Sequence, residues 1–320
     1  MNSHTALSID GVAIALEGRL LRTARLADEY YVPAPHAEVF VDQLRTRLRG
    51  ADVFTFVQEL SDLEPRYRHP QHLLTWDDMA VLPVTTYAHW FDKQIKFKPR
   101  NRLRKAWKSG VETRVLPFDA DTVRGIMSIY DETPLRQGKR NWHFGKDFDT
   151  VRREHATFLD RSEFIGAFHG TELIGFAKVT HATGYSIVMN IVSKVAQRDK
   201  APMNALIAKC VELVAARGIP MMNYGVWGRR GLNEFKVANA FERVAVPRYH
   251  VPITPIGALA LKLGLHQNLK ERLPETWIVA LADARSRWNE WRYAQVASPS
   301  ASRGVPLPAH SAPPQGGTQT

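Results

Sequence analysis

The sequence predicts an α/β (α+β) fold with a mixed central sheet flanked by helices, and three observations carry that prediction. Residues 163–246 contain the strand-length apolar runs FIGAF, LIGFAKV and SIVMNIV in succession. A short polar connection, AQRDKAP, then leads into NALIAKCVELVAARG, whose apolar residues recur near the helical period. A fourth strand, PMMNYGVW, and a glycine-led helix follow. This order brings a central strand to the N-terminus of a helix, where backbone N–H groups and the helix dipole favour an anion.

The elements before that block are fainter. VAIAL and LLRTARL, separated by the Glu17-Gly18 turn, are the strands expected within residues 1–30. A helix is expected from about Ala37 to Arg49, with Val39, Phe40, Leu44 and Leu48 on one side and Gly50 as its stop. ADVFTFVQEL reads as a buried strand, the stretch after it as a loop, and MAVLPV as the next strand. A helical stretch from Tyr87 to Lys108 is expected to break at Pro99, which lacks a backbone N–H. ETRVLPF is a strand; Asp119 or Asp121 caps the helix carrying Val123, Ile126, Met127 and Tyr130, which Pro134 ends. A long polar loop and the helix DTVRREHATFLDRS precede the strand series, and RVAVPRYHVPI closes the unit.

Composition narrows the classes. The chain has 320 residues, 44% of them hydrophobic, enough for one large domain or two moderate ones. It has no run of 18 apolar residues, so no transmembrane helix is expected. The first twenty residues lack a basic start, and Asp10 and Gly11 interrupt the apolar stretch, which argues against a signal peptide. The only cysteine, Cys210, falls on the apolar side of a helix with Leu206, Leu213 and Val214, as a core thiol does. A cytoplasmic location is the expectation. Net charge is +11, and residues 96–114 supply +7 of it, with eight Lys or Arg against Glu112 alone. Such a segment is either a solvated helix face or a phosphate-binding patch for a nucleotide-bearing cofactor, RNA or an anionic membrane surface.

Residues 257–296 are helical in pattern, broken at Pro274, and are read as packing on the body; a helix lying on a membrane is the lesser option. The proline-rich stretch from about residue 297 reads as disordered.

Two segments gather polar side chains. In AQRDKAPMN, Arg198 and Lys200 add charge at a helix N-terminus that already favours an anion. The loop YDETPLRQGKRNWHFGKDF, residues 130–148, is long and polar yet holds Trp142 and Phe144, a composition common in lids and binding segments. Arg136, Gln137, Arg140 and Lys146 suit a carboxylate or phosphate, and His143 is either a base or a surface stacking residue. The spacing of His69 and His72 does not match a metal site, so no metal is expected. No GxSxG, HExxH or Walker motif is present.

FIGAFHGTELIGFAKV resembles the central hairpin of the GNAT acyltransferase superfamily. RNRLRKAWKSGVETRV and GLNEFKVANAFERVAV are similar to segments of its FemAB-like branch, in which a second, degenerate half precedes the catalytic one. The resemblance covers roughly residues 95–250 and implies a degenerate α/β half over 1–95 and an acyltransferase domain over 96–256, before the helical pattern of 257–296. It implies direct transfer of an acyl or aminoacyl group from acyl-CoA or aminoacyl-tRNA to an amine acceptor. Arg198, Lys200 and Asn204 would hold the donor, loop 130–148, with Trp142, the acceptor, and residues 96–114 a tRNA. Lys236 would stabilise negative charge on the donor or the intermediate; the alternative is a helix-surface lysine in a salt bridge. The sequence departs from the superfamily's phosphate loop, Gln/Arg-x-x-Gly-x-Gly/Ala. Counted from Gln197 the glycine places hold Lys200 and Pro202; counted from Arg198, Ala201 and Met203. The other reading is a non-catalytic module on the same fold that binds RNA or an anionic surface. A third, an interfacial protein acting on lipid-linked substrates, rests on residues 257–296.

Overall fold

The computed structural model describes residues 5–266 except 10–11, 19, 28, 30–36, 48–49, 69, 137 and 229–230. The expectations for His69, Gln137, Leu48, Arg49, most of 257–296 and the proline-rich stretch lie outside the described residues. No helix among the described residues is long and apolar enough to cross a membrane.

The chain opens with β1 (Thr5–Ile9), β2 (Val12–Glu17), β3 (Thr23–Leu26), α1 (Ala37–Arg47), β4 (Val53–Val57) and β5 (Leu73–Pro83). It continues with α2 (Tyr87–His89), α3 (Phe97–Lys108), β6 (Val111–Leu116) and α4 (Ala120–Tyr130). The hairpin of β7 (Leu135–Arg136) and β8 (Lys139–Arg140) forms its own small sheet in a second compact unit. Then come α5 (Phe148–His155), β9 (Ser162–His169), β10 (Glu172–Ala182), β11 (Tyr185–Ser193) and α6 (Pro202–Ala216). β12 (Met221–Val226), α7 (Gly231–Ala238), β13 (Glu242–Pro252) and α8 (Pro255–Lys262) follow.

Eleven strands form one mixed sheet in the order β1-β2-β3-β4-β13-β5-β12-β11-β10-β9-β6. β13 runs antiparallel between β4 and β5, so strands from both sides of residue 95 share one sheet. Successive side chains in a strand face opposite ways. Ile165, Ala167, Ala177 and Val179 therefore pack with α3 and α6, while Phe164 and Phe176 pack with α4 and α5. Cys210 is buried in the first of these cores, and burial drives its thiol pKa up, away from nucleophilic use.

The sequence expectations for β9 through α6 and for β12, α7 and β13 match the observed elements. Some details differ, among them β1 (Thr5–Ile9), a strand of the first thirty residues that was not expected. The helical stretch from Tyr87 does not break at Pro99, which sits in the first turn of α3, where its missing N–H costs nothing. The interruption lies at Ile95, in extended conformation after a π-helical turn at Trp90–Gln94. The strand expected as MAVLPV starts six residues earlier, because Asp77 and Asp78 pair with Arg248 and Arg243 of β13. The α4 cap is Asp119, one of the two candidates, accepting from Thr122 N. The helix expected over residues 149–162 ends at His155, and Phe158 then turns left-handed at φ 53°.

Gly257 fixes how α8 seats on the sheet. A Cβ there would lie 1.8 Å from the Asp52 carbonyl oxygen, which also accepts from Ile253 N and Thr254 N. Gly257→Ala is expected to lower unfolding free energy by about 2 kcal/mol or more, as overpacking against fixed backbone does. Urea denaturation checks this, and an unchanged midpoint contradicts it.

Candidate active site

β11 and β12 are parallel neighbours, yet only Ser186 and Ile187 of β11 pair with Met222 and Asn223 of β12. The rest of β11 and residues Tyr224–Val226 have no mutual pairing. On its other side β11 stays paired with β10 along its length, with a register shift that leaves Met189 as the extra residue of a bulge. A bulge adds twist and bends its strand, and this one sits where the two parallel strands part. The result is an opening whose edges are backbone of β11 and β12.

Below the opening, the β11–α6 connection forms a 3₁₀ turn at Arg198–Lys200. Ala201 follows with φ 55° and caps α6, and Pro202 takes the first helical position. A left-handed alanine costs about 1 kcal/mol relative to glycine. Of the two possible alignments of the phosphate loop, the one from Arg198 puts a residue of glycine-like conformation at its first glycine place, and that residue is Ala201. The loop amides are largely engaged. Those of Gln197, Arg198, Lys200, Ala201 and Asn204 donate within the segment, and Pro202 has none. Those of Val195 and Ala196 donate to the Glu132 carboxylate at 2.5 and 2.8 Å.

The side chains here are less engaged. Arg198 is exposed and forms no ion pair among the described residues, and Lys200 lies 3.6 Å from Asp199. Asn204 is 5% exposed, and its carboxamide makes no hydrogen bond among the described residues. The basic helix α3 packs against α6 and against the Arg198–Lys200 turn. Its Lys96, Lys98, Arg102, Lys105 and Lys108 pair with no acid among the described residues, and Arg100 donates only to backbone carbonyls. Phe97, 74% exposed, projects among these cations, while Trp107 and the guanidinium groups of Arg100 and Arg104 lie against Phe91.

Lys236 reaches β12 from α7. Its Nζ donates to the Val226 carbonyl at 2.8 Å and lies 4.9 Å from the Tyr224 ring centroid, both on the part of β12 beyond its pairing with β11. Lys236 is 1% exposed, with no carboxylate partner among the described residues, and burial lowers its pKa to about 8.

Loop 130–148 is partly brought together. Lys146 Nζ lies 3.9 Å over Trp142, Trp142 lies 3.9 Å from His143, and His143 stacks on Tyr130 at 4.0 Å. Lys146 is also held by both Glu154 carboxylate oxygens at 2.7 Å. Arg136 and Arg140 belong to the separate β7–β8 hairpin.

Sequence reasoning missed the polar group that this column rests on. The Tyr130 hydroxyl lies 3.0 Å from His155 Nε2 and accepts from Asn190 Nδ2 at 3.3 Å. Asn190 stands on the part of β11 beyond its pairing with β12. Lys178 is buried beneath and donates to the carbonyls of His155 and Thr157 and to Thr157 Oγ1. Burial first, then the charges of Lys178 and Lys146, lower the His155 pKa to about 4. The available signal was one polar residue, Asn190, inside the apolar run SIVMNIV. Among the described residues no group of three His, Cys, Asp or Glu could hold a metal ion.

The sequence matches no protein-family model and no curated protein. Solved structures do match it. A structure of FemX aligns with a TM-score of 0.54 and 9% identity, covering 79% of this chain and 89% of that one. The C-terminal domain assigned to a lysylphosphatidylglycerol synthetase of Agrobacterium fabrum aligns at 0.53 and 16%, covering 82% and 88%. L-PGS from Bacillus licheniformis aligns at 0.52 and 14%, covering 82% and 88%. The likeness at these identities is one of fold, the GNAT-like fold that the resemblance in the sequence implied.

His155 and His250 give a testable pH dependence, since burial lowers both pKa values to about 4. Between pH 6.5 and 4 the unfolded chain takes up protons that the native state refuses, so stability is full above this window and falls on acidification. Each group is expected to remove up to about 3 kcal/mol. Denaturant titrations across the window check this, and His155→Gln should flatten part of the slope. An unchanged slope in that variant contradicts the assignment.

Proposed function

We propose that the protein is an N-acyltransferase that moves an aminoacyl group from aminoacyl-tRNA directly to an amine. The observation that carries this reading is the opening between β11 and β12 beside the Arg198–Asn204 connection. An ester carbonyl held there would lie along unpaired strand backbone, with N–H groups to polarise it. The amine nitrogen forms the new C–N bond, the C–O bond to the tRNA ribose breaks, and the proton lost by nitrogen ends on the ribose oxygen. The Lys236 ammonium, at the far edge of the opening, offsets charge on the tetrahedral oxygen. Trp142 and His143 form the rim on the acceptor side.

Two features favour tRNA over coenzyme A as carrier. The loop has few amides left for a pyrophosphate, because its own carbonyls and Glu132 engage them. The α3 cations beside the Arg198–Lys200 turn, with Arg198, Lys200 and Asn204, instead suit a long phosphate backbone. The same basic helix supports a second reading, a non-catalytic RNA-binding module.

Binding of aminoacyl-tRNA is expected to weaken at least about tenfold from 0.05 to 0.2 M salt, with Lys200→Ala and Lys105→Ala each reducing the slope. Filter binding checks this. Salt-insensitive binding, or a coenzyme A thioester found by mass spectrometry of the purified protein, overturns the carrier assignment. RNA binding without transfer to any amine supports the module instead. Transfer is expected to decline above about pH 8 as Lys236 loses its proton. Lys236→Met should slow it by about 10²-fold, and Lys236→Arg should carry the alkaline limb upward. A profile unmoved by Lys236→Arg rules out this role for the lysine.

A further inference from the structure

Asn190 combines features that the transfer reading does not use. It is half-buried on the stretch of β11 that has left β12. Its Nδ2 donates to the Tyr130 hydroxyl, and its Oδ1 has no hydrogen-bond partner among the described residues. The donor side of the carboxamide is therefore satisfied inside the protein, and the acceptor side is left for something else. An amide that is free to turn presents either group. This one is held, because a hydroxyl oxygen accepting from Nδ2 fixes which end faces inward.

The hydroxyl is itself fixed. Tyr130 is 1% exposed, and its ring is packed between His143 and the edge of Phe176. Its oxygen lies 3.0 Å from Nε2 of His155, which is 4% exposed. Lys178 anchors the His155 and Thr157 carbonyls, and Asn141 Nδ2 donates to the Tyr130 and Thr133 carbonyls. A buried imidazole beside a buried ammonium stays neutral, so Nε2 can accept the phenolic hydrogen and leave the phenol oxygen to accept from Asn190. Polar groups buried to this degree are costly unless satisfied. Here they fix the Tyr130 hydroxyl, and that hydroxyl holds one side chain at the edge of the opening.

We infer that Asn190 is the acceptor-binding residue, its Oδ1 accepting a hydrogen bond from the incoming amine, with Tyr130 and His155 as positioning residues that set its orientation. The inference rests on the transfer reading above. A neutral carboxamide oxygen accepts one N–H of a primary amine and leaves the nitrogen lone pair available for attack. The ligand class is thus a primary amine presented to the opening from the α4 side of the sheet.

Transfer from a mixture of tRNAs charged with the twenty amino acids to glycinamide, followed by mass spectrometry of the aminoacyl-glycinamide product, tests this. Asn190→Ala is expected to raise the KM for glycinamide about tenfold, the value of one hydrogen bond, with the KM for aminoacyl-tRNA within about twofold of wild type. Tyr130→Phe, which keeps the ring and removes the hydroxyl, is expected to raise the glycinamide KM about threefold, again without changing the KM for the donor. An unchanged glycinamide KM in Asn190→Ala overturns the inference and leaves the transfer reading standing. A parallel rise of both KM values, or a lowered melting temperature that accounts for the loss, shows a structural role and also overturns it. A wild-type protein that forms no product overturns the transfer reading and this inference together.

Discussion

The structure depends on two parallel strands that stay together for only two residue pairs. Ser186 and Ile187 bind β11 to β12, and beyond Ile187, next to the Met189 bulge, the strands part. A parallel sheet normally continues its ladder, since unpaired strand backbone is costly where water is excluded. Here the ladder is kept on the β10 side and given up on the β12 side. Two other features converge on the same place. The β11–α6 connection follows the stretch of β11 that has left β12, and α7 delivers Lys236 to the end of β12.

The two walls of the opening are held by different means. On the α6 side, a left-handed Ala201 and engaged loop amides make a tight turn, and Glu132 ties that turn to the end of α4. On the α4 side, Tyr130, His155, Lys178 and Asn141 form a buried polar group under β11. A packed apolar wall would be easier to maintain, but it would not fix the direction of a carboxamide. Glu132 joins the walls, because it leaves α4 and ends on the backbone after β11. The arrangement fits a site in which donor and acceptor must be aligned with each other, where small misplacements are costly.

The central strands and α6 were legible because strands buried on both faces are written as continuous apolar runs, and FIGAF, LIGFAKV and SIVMNIV are such runs. The first half of β5 was not, because its Asp77 and Asp78 are matched by arginines of β13 more than 160 residues away, and local pattern holds no trace of that. Pro99 was misjudged because a proline that breaks a helix and one that begins it look the same until the preceding residues are placed. At the site, Arg198, Lys200, Asn204 and Lys236 were visible as charge or as family likeness. Tyr130 and His155 were hidden inside a core pattern, and Glu132 inside a polar loop. Their roles come from tertiary neighbours on β11 and the connection after it, which sequence spacing does not encode.

Hydrogen–deuterium exchange of residues 188–193 and 224–226, with and without a stable amide analogue of 3′-aminoacyl-adenosine, tests the opening most directly. Amides of β11 facing β12 beyond Ile187 should exchange faster than those at Ser186–Ile187 in the free protein and become protected when the analogue binds. Equal, slow exchange along both strands in the free protein, with no change on adding the analogue, would show a closed sheet and contradict the account.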